Sequence, residues 1–392
     1  MAVFETPSQS PAQRVRAAHP GSGRVASAPG TWVLIGENVD HFGGVTLAGT
    51  AALRAAAAVN PRPDRVVSVS TRGPLGQEFS AQLSFDEEPV DGLARRWWGL
   101  VHTLVQRQVL SRDTAGMDIT VESDVPVGAG LGALYAADAA IALALAGAHD
   151  DVDTAPFRAR LAEICSHAMA TYSSLPVLRA RHSVALRGAE GVSVVDYADG
   201  SLTQAPHPSR HGVRVFSVAA SLGAPFAESR EAIATHRAFI DAACTNFGVA
   251  SLRQLPDAPG RVAQWVEARR AAGDDTAPDP ETARRWVTFC ESETLRSLAA
   301  SKALRSRRAN ELFTLLNSAS EAHRLATPDA LVALVALARE RGAVAARPAA
   351  TGTSNAVIAF VPVQDADAFA GSMAREYEVV EVAAGEPARL EG

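Results

Sequence analysis

Apolar and polar positions alternate along this chain with two periods. The run Trp32-Val33-Leu34-Ile35, closed by Gly36, predicts a buried strand ending in a polar turn. Residues 66–71 interleave Val with Ser, and 79–85 alternate again, so two half-buried strands are expected there. Residues 91–107 instead place Leu93, Trp97, Trp98, Leu100, Val101 and Leu104 at helical spacing, the pattern of an amphipathic helix packed by its tryptophans. Further strands are expected over 117–122, 192–197, 213–220 and 356–361. Helices are expected over 133–148, 156–171, 228–247, 281–301, 309–325, 328–341 and 365–376. Residues 48–59 read as a strand mixed with an Ala-rich turn, and the polar tail 385–392 as frayed.

Two of the connections carry chemistry. The turn after Ile35 gathers Glu37, Asn38, Asp40 and His41 on a rigid strand stem and closes on Gly43-Gly44, a set of hydrogen-bonding groups suited to a sugar or other polyol. The turn Pro126-Val127-Gly128-Ala129-Gly130-Leu131-Gly132 runs straight into a strong helix. Glycines there let backbone N–H groups point at a phosphate with the helix dipole behind them. Both patterns also occur as ordinary loop chemistry.

The chain has 392 residues, 47% of them hydrophobic, enough for two ordinary cores, and residues 209–212 mark a joint between 1–208 and 209–392. A net charge of −6 leaves no basic footprint for nucleic acid. Lys302 is the sole lysine, which removes most candidates for a phosphate-gripping lysine. Cys165, Cys244 and Cys290 lie far apart, with neither metal-ligand spacing nor a disulfide framework. The first residues lack the basic and apolar regions of a secretion signal, and the apolar stretches are too short for a membrane span, so a soluble cytoplasmic protein is expected.

The polar turn also resembles the galactokinase branch of the GHMP small-molecule kinases. That branch opens Ala-Pro-Gly-Arg-Val-Asn-Leu-Ile-Gly-Glu-His-Thr-Asp-Tyr-Asn-Gly-Gly. Here Ala28-Pro29-Gly30, Leu34-Ile35-Gly36-Glu37, Asp40 and Gly43-Gly44 match it without a gap. A second motif, Pro-x-Gly-(Ala/Ser)-Gly-Leu-Ser-Ser-Ser-Ala, is matched by Pro126, Gly128, Ala129, Gly130 and Leu131. The third glycine motif persists only at Arg347 and Gly352.

The resemblance implies an α+β GHMP fold, with an N-terminal α/β domain like ribosomal protein S5, a C-terminal ferredoxin-like domain and a ligand cleft between them. It implies sugar contacts from Glu37, Asn38, Asp40 and His41, and nucleotide contacts from Gly128, Gly130, Gly132 and Gly352. Asp138 takes the place of the family's acidic metal ligand, so ATP and Mg²⁺ are the cofactors the resemblance suggests.

Four departures fall on the phosphoryl-transfer side. Thr31 stands in the slot of the family's phosphate-side Arg, and Arg181, followed by His182, falls in the slot of its catalytic Asp. Gly132, Ala133 and Leu134 replace the serines, and the third loop has lost most of its glycines. An Arg accepts no proton at neutral pH. His182 is the remaining candidate base, or else a surface His beside two arginines.

The expectation is a galactokinase-like protein that keeps a sugar-type pocket and is catalytically weak or silent, acting as a sugar-binding, sensing or partner-regulating protein. The alternative is an active sugar kinase with chemistry relocated to Asp138, Arg181 and His182. A third reading is a scaffold, in which Leu134 and Tyr135 fill the cleft and Glu37 and Asp40 form internal salt bridges.

Overall fold

A computed structural model describes residues 3–18, 23–223, 230–318, 328–349 and 354–392. After helix α1 (Pro11–Ala18), the long strands β1 (Arg24–Ile35) and β2 (Val45–Arg62) pair antiparallel and form the spine of the first sheet. β3 (Val66–Arg72), β4 (Glu78–Ser84), helix α2 (Gly92–Gln106) and β5 (Gly116–Ser123) follow, with β3 parallel to β5. Helices α3 (Ala133–Ala146), α4 (Ala155–Tyr172) and α5 (Arg179–Arg187) cover one face, and β6 (Val192–Asp196) and β7 (Ser201–Ala205) extend β2 at its other end. Helix α3 is apolar all round and buried through most of its length, as a helix enclosed between a sheet and its neighbours must be.

The chain changes sheets after residue 211. β8 (Val213–Ala219) is followed by helices α6 (Arg230–Phe247), α7 (Ala258–Ala271), α8 (Pro280–Arg305), α9 (Ala309–Ser318) and α10 (Asp329–Glu340). β9 (Ala345–Ala349), β10 (Ala356–Pro362), α11 (Ala366–Met373) and β11 (Glu378–Glu381) complete a four-stranded antiparallel sheet in the order β11-β8-β10-β9. Strand β12 (Arg389–Glu391) then returns to the first sheet and pairs with β1.

Two expectations are corrected, and three helices were not expected. Residues 48–59 contain no turn: they pair with β1, and with β6 and β5 on the other edge, and every alanine among them but Ala52 is buried, so β2 runs uninterrupted. The tail is not frayed: besides the β12 pairing, Arg54 donates to the carbonyls of Glu386 and Pro387 at 2.9 and 3.0 Å. Helices α1, α5 and α7 had no strong apolar period to announce them; α7 begins instead at an Asp257 cap, whose carboxylate accepts from the Gly260 amide at 3.3 Å. The expected helix over 309–325 is described only to Ser318, and the start of the one expected over 228–247 lies outside the described residues. Among the described residues no helix is long and apolar enough to cross a membrane.

Candidate functional site

β1 delivers the polar turn through Gly36, whose φ is +89° and where a Cβ would lie 2.2 Å from the Val45 carbonyl; only glycine fits. The turn is held from the opposite side of the molecule. Buried Glu293 on α8 accepts from the Gly36 amide at 3.1 Å and from Arg347 on β9 at 2.7 Å. Arg347, the survivor of the third motif, thus braces the turn from the second sheet.

Asn38 adopts a left-handed conformation and accepts from Arg237 of α6 at 3.1 Å. Asp40 is almost fully buried, and neither carboxylate oxygen has a hydrogen-bond partner; Arg237 stands 3.5 Å away. Burial pushes the Asp40 carboxyl upward, but the charges of Arg237, His41 and Arg179 outweigh it and hold it below the usual range. His41 lies at the rim with Nδ1 2.7 Å from Asp241. Glu37 is buried, with Arg181 4.0 Å away.

Arg181, in the first turn of α5, is fully buried. Its guanidinium donates to the carbonyl of Thr31 and, at 3.0 Å, to that of Gly130. A side chain on Gly132 would come 2.8 Å from both Arg181 Nη1 and Thr31 Oγ1. The two altered slots therefore meet, and the Arg181 cation lies against the slot that Thr31 left uncharged. Burial lowers its affinity for the proton and Glu37 offsets part of that.

Asp138 and His182 come together, but behind the cleft. Both Asp138 oxygens are engaged: Arg96 of α2 donates to them at 3.0 and 2.5 Å, and the Trp97 indole N–H at 3.0 Å. His182 Nε2 lies 3.2 Å from Asp138, and its Nδ1 3.0 Å from Ser166 Oγ. Burial pushes Asp138 upward and the Arg96 charge pulls it down further, leaving it below the usual carboxylate range. His182 is fully buried rather than on the surface, and burial holds its imidazole below its ordinary value despite Asp138.

The glycine turn does precede α3, with Gly128, Gly130 and Gly132 all at positive φ. Yet the cavity before it measures only about 60 Å³. Tyr135 lies between two guanidinium groups, those of Arg96 and Arg181, each 5.7 Å from its ring centre. Its hydroxyl donates to the Pro176 carbonyl at 3.2 Å and accepts from the Leu178 amide at 3.0 Å, tying the 175–178 segment across the cleft. Gly352 lies outside the described residues. Beside His41 of the polar turn a second cavity of about 520 Å³ opens between α4, the 174–179 segment and α6, lined among others by Arg179 and Arg237. Ligand pockets for small molecules usually span about 300–1,000 Å³, so the larger cavity is of ligand size and the smaller is not.

Arg237, Arg96 and Glu293 carry much of this arrangement and were not singled out in the sequence. Each is one charged residue in a helix, and only its burial distinguishes it from a solvated charge.

The architecture is that of the GHMP kinases. Over 96% of this chain and 98% of the other, it superposes on Lactococcus lactis galactokinase complexed with galactose, at a TM-score of 0.75 and 15% identity. Methanococcus jannaschii mevalonate kinase matches over 95% and 99% of the two chains, with a TM-score of 0.56 and 12% identity. Within that class the resemblance to the galactokinase branch is borne out: the galactokinase galactose-binding signature matches residues 14–61. Galactokinases of Chloroflexus aurantiacus and Roseiflexus sp. are 32% and 30% identical over 125 and 123 residues. These alignments span about 30% of either relative's length and 31% and 30% of this chain.

Proposed function

We propose that this protein binds a sugar or closely related polyol in a galactokinase-like pocket and does not transfer phosphate to it. The observation that carries this reading is the asymmetry of the cleft: a cavity of about 520 Å³ on the sugar side against about 60 Å³ before the glycine turn. Asp40 stands outside that cavity's lining, its two oxygens buried and without a hydrogen-bond partner 3.5 Å from Arg237, so a ligand seated against Arg237 would find an acceptor there.

The described residues do not fit Mg-ATP. Tyr135 and its ties to Pro176 and Leu178 occupy the phosphate side, both oxygens of Asp138 are engaged by Arg96 and Trp97, and no group of His, Cys, Asp and Glu suited to a metal ion occurs among the described residues. With Arg181 in the base slot the carboxylate expected from the resemblance is missing from that position, and a missing general base alone typically costs about 10²–10⁴ in rate.

The scaffold reading finds support on two counts, since Tyr135 fills space before the glycine turn and Glu37 and Asp40 lie in buried ion pairs with Arg181 and Arg237 at 4.0 and 3.5 Å, but the open cavity beside His41 argues against it. The relocated-kinase reading would require Asp138 to leave Arg96. Binding without turnover suits a sensing or partner-regulating role. Calorimetric titration with galactose and with a non-hydrolysable ATP analogue, beside a phosphorylation assay, tests the proposal. Galactose-class binding without nucleotide binding is expected; ATP-dependent phosphorylation of any sugar would overturn it.

A further inference from the structure

The sugar-side cavity has a charged wall that a neutral hexose does not need. α5 opens onto it at Arg179, and the positive end of the helix carries no acidic residue in its first turn and no side-chain cap. Arginines at positions 179 and 181 are therefore placed where the dipole disfavours cations, an arrangement that an anion at this end would relieve.

The second observation is independent. Arg237, buried across the cavity from α5, has an Nε with no hydrogen-bond partner; its two terminal nitrogens already serve Val177 and Asn38. The acids nearby are Asp40, 3.5 Å from Arg237, and Glu163, which meets Arg179 at 3.2 Å. The Arg179–Glu163 pair is exposed on both sides, the kind of contact that yields readily to a better partner. Asp40 lies outside the cavity's lining, its side chain 1% exposed and its oxygens without a hydrogen-bond partner.

From this geometry we propose that the ligand is a hydroxylated anion, a sugar carrying a carboxylate or phosphate. Its hydroxyls donate to Asp40, and its anionic group replaces Glu163 on Arg179, at the end of α5 and beside Arg237. The inference rests on the sugar-binding reading above and specifies the chemistry of the ligand.

Titrating the full chain with galactose, galacturonate, galactose 1-phosphate and inorganic phosphate tests it. At least one anionic sugar should bind about tenfold or more tightly than galactose, and which one does identifies the anionic group. In Arg179→Gln the preference should fall to within about threefold, and Arg179→Lys should restore part of it, with melting temperature confirming the fold of both. Galactose binding as tightly as both anionic sugars would overturn the inference while leaving the sugar-binding reading intact. Inorganic phosphate binding as tightly as the best sugar, or a preference unchanged in Arg179→Gln, would also overturn it. No binding by any of the four would remove the sugar-binding reading itself.

Discussion

Arg181 donates through Nη1 to the backbone carbonyl of Thr31, and the same nitrogen lies 3.4 Å from the Thr31 hydroxyl. In galactokinases these two slots hold an Arg and a catalytic Asp. Here the cation stands on helix α5 instead of strand β1, and a neutral residue has taken its place. The arrangement keeps a buried positive charge 4.0 Å from Glu37.

If Arg181 is a structural tie, its removal should register as lost stability. Arg181→Ala strands the carbonyls of Thr31 and Gly130 and uncovers Glu37. Breaking a buried charged contact of this kind costs about 3–5 kcal/mol. Thr31→Arg alone should also destabilise, by placing a second guanidinium against the first. The double change Thr31→Arg with Arg181→Asp should then be less damaging than the two singles added together, with a coupling of about 0.5–3 kcal/mol by urea denaturation. Additive single effects would show that the two slots do not communicate.

Tyr135 makes a separate prediction about nucleotide. Mg-ATP at millimolar concentration should leave the melting temperature of the native protein unchanged, whereas a ligand at about 100 times its Kd adds about 2.7 kcal/mol. Tyr135→Ala frees the Pro176 carbonyl and the Leu178 amide and clears the ring from between Arg96 and Arg181. That variant should lose stability and gain measurable affinity for inorganic triphosphate. Thermal protection of the native protein by ATP would contradict the closed cleft.

Which parts of the site were visible in the chain follows from how each is encoded. The polar turn was legible because Gly36, Glu37, Asp40 and the paired glycines occur as one contiguous string whose backbone demands are local. The strand, turn and helix around Gly128 to Gly132 were legible for the same reason. That an Arg and not a carboxylate stands at position 181 was legible too, as a single residue type at one position. What Arg181 does instead was not, because its contacts with Thr31 and Gly130 join positions 150 and 51 residues apart. The same holds for Arg237 on Asn38 and Arg347 on Glu293, which close across the two sheets. Asp138 and His182 were placed in the right neighbourhood, but their orientation toward Arg96 and Ser166 depends on the packing of α2, α3, α4 and α5. The Ala-rich stretch of β2 misled because alanine has little strand propensity of its own; only pairing on both edges makes it a strand.

Asp40 should be the most sensitive residue for ligand binding. Asp40→Asn keeps its shape but removes the charge that faces Arg237 and would accept from hydroxyls. Hydrogen bonds to a charged group contribute about 1.5–3 kcal/mol, so affinity for whichever sugar binds should fall by about tenfold or more in calorimetry. An unchanged Kd would place the ligand elsewhere.

Asp138 separates a metal role from a structural one. Asp138→Asn should destabilise by about 3–5 kcal/mol because Arg96 is left buried without its counter-charge. Replacing Arg96 and Asp138 together by apolar residues should recover part of that loss. Neither Mg²⁺ nor a chelator should move the melting temperature of the native protein. A stabilisation by Mg²⁺ that vanishes in Asp138→Asn would assign the carboxylate to a metal instead.

Acid sensitivity follows from histidines that burial holds below their ordinary value, His102, His182 and His211 among them, and two more outside the cleft set its window. His207, packed edge-on against Trp32, and His236, beside Cys290 and Trp286, are both buried, and burial pushes each down to about 4. In the unfolded chain a histidine titrates near 6.5. Between about pH 6.5 and the folded values the unfolded chain therefore holds protons that the folded chain does not, so stability falls as pH drops through that window. Each histidine contributes up to about 3 kcal/mol when the window is crossed. Asp40 and Asp138, both depressed, lose their contribution only below the ordinary carboxylate range, so they leave this window untouched. Urea midpoints measured from about pH 7.5 to about pH 5 should fall steadily, and the slope should be shallower in His236→Gln. A flat profile across that range would mean that both imidazoles reach water in the folded protein.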